Sequence, residues 1–82
     1  MSDIPTIDLI RTGENIKKLR KESGLSVRDL QEILGLRTSQ AIYKWQQGVS
    51  LPTVDNLIIL AKLWGKTIDE ILIINYEIRH ST

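Results

Sequence analysis

The 82-residue sequence contains no cysteine, and its single histidine, His80, lies two residues from the end. Without cysteine there is no disulfide framework, no cysteine-based zinc site and no thiol nucleophile. One histidine near the terminus is too little to assemble the usual nucleophile–base pairs. The five glycines stand singly, so a glycine-rich phosphate loop is also missing. We therefore expect a protein that is not an enzyme and that holds no metal or cofactor.

Long apolar runs are missing too. The longest, residues 57–61 and 71–74, fall far short of the roughly 20 residues needed to cross a bilayer. The first ten residues carry two aspartates and no basic region of the kind that opens a signal peptide. A hydrophobic fraction of 41% with 26% charged residues is typical of a globular chain. The expectation is a cytoplasmic protein of one domain, with no membrane partner and no evident small-molecule ligand.

The net charge is only +1, but it is unevenly distributed. Residues 11–48 contain eight basic and four acidic side chains, a local charge of +4, whereas residues 1–10 carry −2 and residues 49–82 carry −1. A basic half next to an acidic one suits a module that places one face on a polyanion.

Periodicity and helix-capping signals predict five short helices, separated by glycine or proline at every junction. The predicted N-caps of these helices, in chain order, are Thr12, Ser26, Thr38, Thr53 and Thr67. In the fourth helix the predicted inward stripe is Val54, Leu57, Ile58, Ala61 and Trp64, widened by Leu60 and Leu63. Residues 71–78 alternate and could instead extend as a strand, so the end of the fifth helix stays open. The predicted fold class is all-α.

Residues 25–52 carry the most information about function. Two short helices joined by a glycine-containing turn match a helix-turn-helix unit, in which the second helix enters the major groove of DNA. In that second helix Ser39, Gln40, Tyr43 and Lys44 lie opposite the apolar Ile42 and Trp45. Glutamine pairs well with adenine and lysine donates to guanine, so the outward residue types suit base edges.

The sequence resembles the phage repressor/Cro-like helix-turn-helix proteins, the xenobiotic-response-element family. The resemblance covers roughly residues 12–73 and rests on the combination of R-x-x-x-G-L-S, I-x-x-W-x-x-G-x-x-x-P and L-x-x-L-A-x-x-x-G. It implies a compact five-helix, lambda-repressor-like domain that binds double-stranded operator DNA, usually as a symmetric homodimer, and usually represses transcription. Residues 1–11 would then be an N-terminal arm and residues 74–82 a C-terminal tail available for dimer contact.

The resemblance also implies roles for individual residues. Ser39, Gln40 and Lys44 would face bases, with Tyr43 near bases or phosphate. The residues implied to lie along the DNA backbone are Ser26, Arg28, Arg37, Thr38, Gln47, Ser50 and Thr53.

This sequence departs from the family pattern in four ways. Val27 stands where a phosphate-contacting glutamine is common, which shifts that contact to Arg28 or to backbone N–H groups. Gln31 stands where alanine is usual, and the turn between Gly35 and Ile42 is one residue longer, so we expect the longer turn to make space for Gln31. Gln46 replaces the common glutamate, and we expect it to hold Arg20 of the first helix.

A second function remains open from the sequence: a protein-interaction module, such as an antitoxin or adaptor, that reuses the fold. The apolar residues of segment 71–78 are too many for so small a domain to bury, and exposed apolar patches usually mark interfaces. The same segment could instead form the homodimer contact.

Overall fold

The computed structural model describes the backbone of residues 3–78 and the side chains of residues 4–76. Five helices follow one short strand and precede another. In chain order the elements are β1 (Asp3–Ile7), α1 (Leu9–Glu22), α2 (Val27–Leu34), α3 (Gln40–Gln46), α4 (Val54–Trp64), α5 (Ile68–Ile71) and β2 (Ile74–Ile78). No helix within this part of the chain is both long and apolar enough to cross a membrane.

One apolar core joins the five helices. Its buried members are Ile16, Leu19, Leu30, Ile42, Trp45, Leu57, Leu60 and Ile71. Each helix contributes at least one side chain, so even the short α5 is held by tertiary packing. The predicted inward positions Ile42 and Trp45 are confirmed.

The all-α prediction is wrong in one respect, because β1 and β2 form a two-stranded antiparallel sheet. Their register runs from Asp3 opposite Ile78 to Ile7 opposite Ile74. The strand alternative for residues 71–78 is therefore correct from Ile74 onward. The described part of the predicted arm contains β1 and the first turn of α1, and β2 lies in the predicted tail. His80 lies outside the described residues.

The start of α1 also differs from the prediction. Asp8 is the N-cap, and its carboxylate accepts a hydrogen bond from the backbone N–H of Arg11 at 2.9 Å. Thr12 lies inside the helix and is fully buried, and its hydroxyl accepts the N–H of Ile73 at 2.8 Å. The amide of Asn15 donates to the carbonyls that end α5. The hydroxyl predicted to cap α1 thus joins α1 to the segment leading into β2.

Three of the predicted caps are confirmed. Ser26 and Thr67 each form a reciprocal capping box with an acidic residue three positions on, and Thr53 caps α4 through the N–H of Asn56. The Thr38 cap is wrong, because Ser39 is the N-cap of α3 and makes no side-chain cap bond. The Thr38 hydroxyl still accepts the N–H of Gln40, at 3.4 Å.

The inward face of α4 is narrower than predicted, because Leu57, Leu60, Ala61 and Trp64 lie in or against the core and the other predicted positions do not. Leu57 and Leu60 are buried, whereas Val54 is 67% exposed and Ile58 is 56% exposed. Four exposed aliphatic side chains, together with Lys62, line a shallow groove between α2 and α4. We call this surface the α2–α4 patch; its aliphatic residues are Ile33, Ile58, Ile59 and Leu63.

Candidate nucleic-acid interface

The helix-turn-helix unit consists of α2, the turn 35–39 and α3. Ile42 and Trp45 fix one side of α3 in the core. On its opposite side a continuous polar stripe is exposed, with the i, i+3, i+4, i+7 spacing of one helix face: Gln40, Tyr43, Lys44 and Gln47. Three of the four predicted base-facing residues therefore lie together on this stripe. Ser39 is half-buried at the start of α3, next to it.

Two glycines allow α3 to pack closely against α1. A Cβ atom on Gly13 would lie 2.2 Å from the carbonyl oxygen of Trp45 and 2.8 Å from that of Gln46. Gly48, just after α3, has a φ of +75° and approaches the backbone of Ile10 so closely that a Cβ would lie 2.8 Å from its Cα. Neither approach leaves room for a side chain. The sequence signal for Gly13 is a glycine inside a helix, a position that usually reflects packing.

A buried cation strengthens the same contact between α1 and α3. Arg20 is only 8% exposed. Its Nε donates to Oε1 of Gln46 at 3.0 Å, and its Nη1 donates to the carbonyl of Leu25 at 2.7 Å. The expected pairing of Arg20 with Gln46 is confirmed. Both acceptors are neutral, so among the residues whose side chains are described the guanidinium is hydrogen-bonded without an ion pair.

The turn before α3 is held by Gln31. Its side-chain amide donates to the carbonyls of Leu36 and Arg37, at 3.3 and 3.2 Å. Gly35 begins the turn in the left-handed conformation, with a φ of 67°. The half-buried Gln31 therefore lies against this turn and supplies donors to two of its carbonyls.

The residues predicted to contact the DNA backbone lie in three parts of the structure. Ser26 and Arg28 begin α2, Arg37 and Thr38 are exposed in the turn, and the remaining three follow α3: Gln47, Ser50 and Thr53. The N–H groups of Val49 and Ser50 donate to the carbonyl of Lys44, which keeps this last segment next to the end of α3. All three places therefore flank the stripe in sequence, and the last is hydrogen-bonded to its helix.

Two of these residues are already engaged. The Ser26 hydroxyl accepts the N–H of Asp29, and the Ser26 N–H donates back to the Asp29 carboxylate. The pKa of the Asp29 carboxyl is lowered chiefly by the backbone N–H of Ser26 and secondly by the Ser26 hydroxyl. Arg28 forms an exposed ion pair with Glu32, with its Nε 3.5 Å from Oε1.

Between α2 and α3 lies an open groove of about 390 Å³, lined by Arg28, Gln31, Glu32, Ser39 and Tyr43 together with Val27. Its walls are mostly polar side chains of the helix-turn-helix itself, so it is the cleft between the two helices. Within the described part of the chain no group of three or more His, Cys, Asp or Glu residues could hold a metal ion.

These features define a helix-turn-helix protein of the class found in phage repressors and Cro. A comparison with protein-family models matches residues 16–71 to the Helix-turn-helix family of this Cro/C1 type. The chain belongs to that family. No curated protein matches it in sequence.

Solved structures share the fold. The restriction–modification controller protein C.AhdI from Aeromonas hydrophila superposes with a TM-score of 0.67 at 25% identity, over 78% of this chain and 96% of that one. A transcriptional regulator from Listeria innocua gives a TM-score of 0.71 at 27% identity, over 85% of this chain. The match spans 64% of that regulator, less than two thirds of its length. The DNA-binding domain of BldD, at 24% identity and a TM-score of 0.64, covers 79% of this chain and 93% of that domain, and shows the shared fold.

Proposed function

We propose that the protein is a sequence-specific DNA-binding transcription regulator that represses by occupying a near-palindromic operator as a homodimer. The observation that carries the proposal is the exposed polar stripe of α3, on a helix whose other side is fixed by Ile42, Trp45 and the close approach of Gly13. A rigidly positioned helix is what base recognition in the major groove requires. Membership of the helix-turn-helix family and the likeness to C.AhdI and the Listeria regulator support the same function. The proposed activity is binding and not catalysis.

Gln40 and Lys44 are the proposed base-contacting pair. They lie one helical turn apart on the stripe and are both exposed, so they can address neighbouring base pairs together. Tyr43 lies between them in sequence and is 47% exposed, next to the groove toward α2. It adds an aromatic surface to the base-contacting side of α3.

Arg28 and Arg37 are the proposed phosphate contacts. Both are exposed. The Arg28–Glu32 pair does not prevent this role, because an exposed i, i+4 pair contributes only about 0.3–0.5 kcal/mol. A phosphate can therefore replace Glu32 as the partner of Arg28 at little cost.

The test is a binding-site selection from random DNA, followed by affinity measurements on the selected site at several salt concentrations. Gln40→Ala and Lys44→Ala should each cost about 1–3 kcal/mol and relax preference at one or two positions. Arg28→Ala should weaken binding to all DNA sequences about equally, and should reduce the slope of log affinity against log salt concentration by about one unit. The matched control is Lys66→Ala, which removes an exposed charge in the loop between α4 and α5. It should change neither the base preference nor the salt slope.

Each part of the proposal has its own contrary result. A selected consensus that is unchanged by Gln40→Ala and Lys44→Ala would remove these residues from the base-contacting role. A selected site without approximate two-fold symmetry would contradict the near-palindromic operator. Transcription from a promoter carrying the selected site should fall when the protein is added, and a rise would contradict repression.

The second candidate is a protein-interaction module, and the α2–α4 patch favours it. Its four aliphatic side chains are 39–56% exposed, and contiguous exposed apolar surface usually marks an interface. Affinity for mixed-sequence DNA at two salt concentrations separates the candidates. The affinity of a DNA-binding protein for DNA falls steeply as the salt concentration rises, because binding releases counterions. An adaptor binds poorly at both concentrations.

A further inference from the structure

The two strands form a largely exposed ribbon, in which only Ile74 is half-buried among the residues whose side chains are described. Every residue from Ile4 to Ile7 is exposed, as are Asn75 and Tyr76. The molecule measures 51 × 24 × 21 Å, and its radius of gyration of 14.2 Å exceeds the roughly 12 Å expected of a compact chain of this length. An isolated two-stranded ribbon is marginally stable in water. The ribbon therefore lacks a partner that would stabilise it.

The hydrogen-bonding pattern between β1 and β2 determines which residues direct their backbone N–H and carbonyl groups toward the free edges of the ribbon. The N–H of Asp8 donates to the carbonyl of Ile73 at 2.8 Å, and these two residues continue the register of the sheet. Antiparallel pairs alternate between hydrogen-bonded and non-hydrogen-bonded. The pairs Ile7–Ile74, Pro5–Tyr76 and Asp3–Ile78 are therefore of the non-hydrogen-bonded kind, and their backbone groups point away from the ribbon.

The two free edges are not equivalent, because Pro5 lies at the centre of the edge of β1. Proline has no N–H, so this edge lacks its central donor, a recognised protection against strand addition. The edge of β2 has no such defect. Ile74, Tyr76 and Ile78 each direct both an N–H and a carbonyl outward. Only β2 is equipped to accept another strand along its whole length.

We propose that β2 pairs antiparallel with β2 of a second copy of this chain, with Tyr76 opposite its own symmetry mate. In this register Ile74 of each copy lies opposite Ile78 of the other. Every outward N–H and carbonyl of both strands is then satisfied, and a single two-fold axis relates the copies, as an isologous dimer requires. The inference rests on the homodimer proposed above and assigns the surface that forms it.

The side chains favour a second copy over an unrelated strand. Directly opposed residues share a face of the sheet, so one face of the ribbon carries Pro5, Ile7, Ile74 and Tyr76, whereas Ile4, Thr6 and Asn75 lie on the other. A two-fold axis perpendicular to the sheet puts both apolar faces on the same side. The result is a four-stranded sheet in which Pro5, Ile7, Ile74 and Tyr76 of both copies lie on one face, and a sheet of three or more strands with a hydrophobic face meets the usual requirement for independent stability. Because the molecule is elongated, pairing at the ribbon leaves the helices of the two copies apart.

Two substitutions of Tyr76 separate what its backbone N–H contributes to dimerisation from what its side chain contributes. Tyr76→Pro removes the outward N–H at the two-fold axis but leaves the bonds within the ribbon, which are made by the neighbouring residues 75 and 77. Sedimentation without DNA should show the dimer dissociation constant raised by about 100-fold or more, since both central hydrogen bonds are lost and the proline ring blocks the approach of the second strand. Tyr76→Thr keeps the N–H and a strong strand former, and should remain dimeric in the same concentration range.

A cross-link provides a second, independent measurement. The chain has no cysteine, so Tyr76→Cys introduces a single thiol. In a hydrogen-bonded antiparallel pair the two Cα atoms lie about 5.5 Å apart, within disulfide range. Mild oxidation should therefore give a disulfide-linked dimer. The control Asn75→Cys places its thiol opposite residue 77 of the second copy and should cross-link much more slowly.

The possible outcomes distinguish this inference from the proposed function. A dimer that survives Tyr76→Pro undiminished, or cross-linking through Asn75→Cys as fast as through Tyr76→Cys, overturns the β2 interface while leaving the proposed homodimer intact. Wild-type protein that stays monomeric both free and on its selected site overturns both. Monomeric protein that pairs β2 with a strand of a different protein also overturns the inference.

Discussion

Replacing Gly13 with alanine should destabilise the protein, although alanine is the better helix former. Gly13 lies inside α1, where the exchange would gain about 1 kcal/mol from helix propensity alone. Against this, the new Cβ would lie 2.2 Å from the carbonyl oxygen of Trp45. That atom belongs to the backbone of α3 and cannot rotate away, so α3 must move as a whole.

The distance decides which effect is larger. Overpacking a tight contact typically costs about 1–3 kcal/mol, occasionally more, and a backbone obstacle belongs at the upper end. Subtracting the propensity gain leaves a net loss of about 1–2 kcal/mol. For a domain of this size that lowers the melting temperature by roughly 4–16 °C. Thermal unfolding followed by circular dichroism measures this directly.

The control is Lys18→Ala, which makes an alanine substitution on the exposed side of the same helix and should be close to neutral. A Gly13→Ala variant that is as stable as the wild type, or more stable, would refute the proposed close packing of α1 on α3. The variant should also bind the selected DNA site more weakly than its loss of stability explains, because displacement of α3 moves the polar stripe.

Two further predictions concern buried and exposed charges. Gln46→Glu should stabilise the protein by roughly 1 kcal/mol at neutral pH, since Arg20 would gain an ionised acceptor in place of a neutral one; denaturant unfolding measures this, and a loss of stability would contradict it. Backbone N–H donors at helix starts lower the pKa of three carboxyls, those of Asp8, Asp29 and Glu70. A carboxyl whose pKa is lowered in the folded state stabilises the protein at any pH above its unfolded-state pKa, and this stabilisation is lost as the pH falls. The loss begins below pH 4.5, the ordinary pKa of Glu70, and continues below pH 3.8, the ordinary pKa of the two aspartates. Asp8→Asn keeps a good N-cap and should flatten the acid side of the stability–pH curve, whereas an unchanged curve would contradict the role of Asp8.

The features that sequence predicted well are local. A capping box needs only two residues three positions apart, so those of α2 and α5 were predictable from the pairs Ser26–Asp29 and Thr67–Glu70. The polar stripe of α3 likewise follows from helical spacing within one short segment. Both depend on interactions that are complete within one or two turns of helix.

The features that were missed depend on residues far apart in the chain. β1 has no partner within sequence reach, because it pairs with β2 some seventy residues away. Thr12 is a reasonable cap by its own chemistry, yet its hydroxyl is used by Ile73, and Asp8 caps the helix instead. Where a sequence offers two plausible caps within one turn, a tertiary contact decides between them.

The orientation of α3 depends on how Gln31 and the turn before α3 fit each other. A long side chain at this position needs space, and the carbonyls of the turn need donors. Together they satisfy each other, since the Gln31 amide donates to the carbonyls of Leu36 and Arg37. The bond to Leu36 is part-buried, and a buried carbonyl left without a donor costs roughly 1–3 kcal/mol. The orientation of the polar stripe therefore depends on a residue of α2 that does not belong to the stripe.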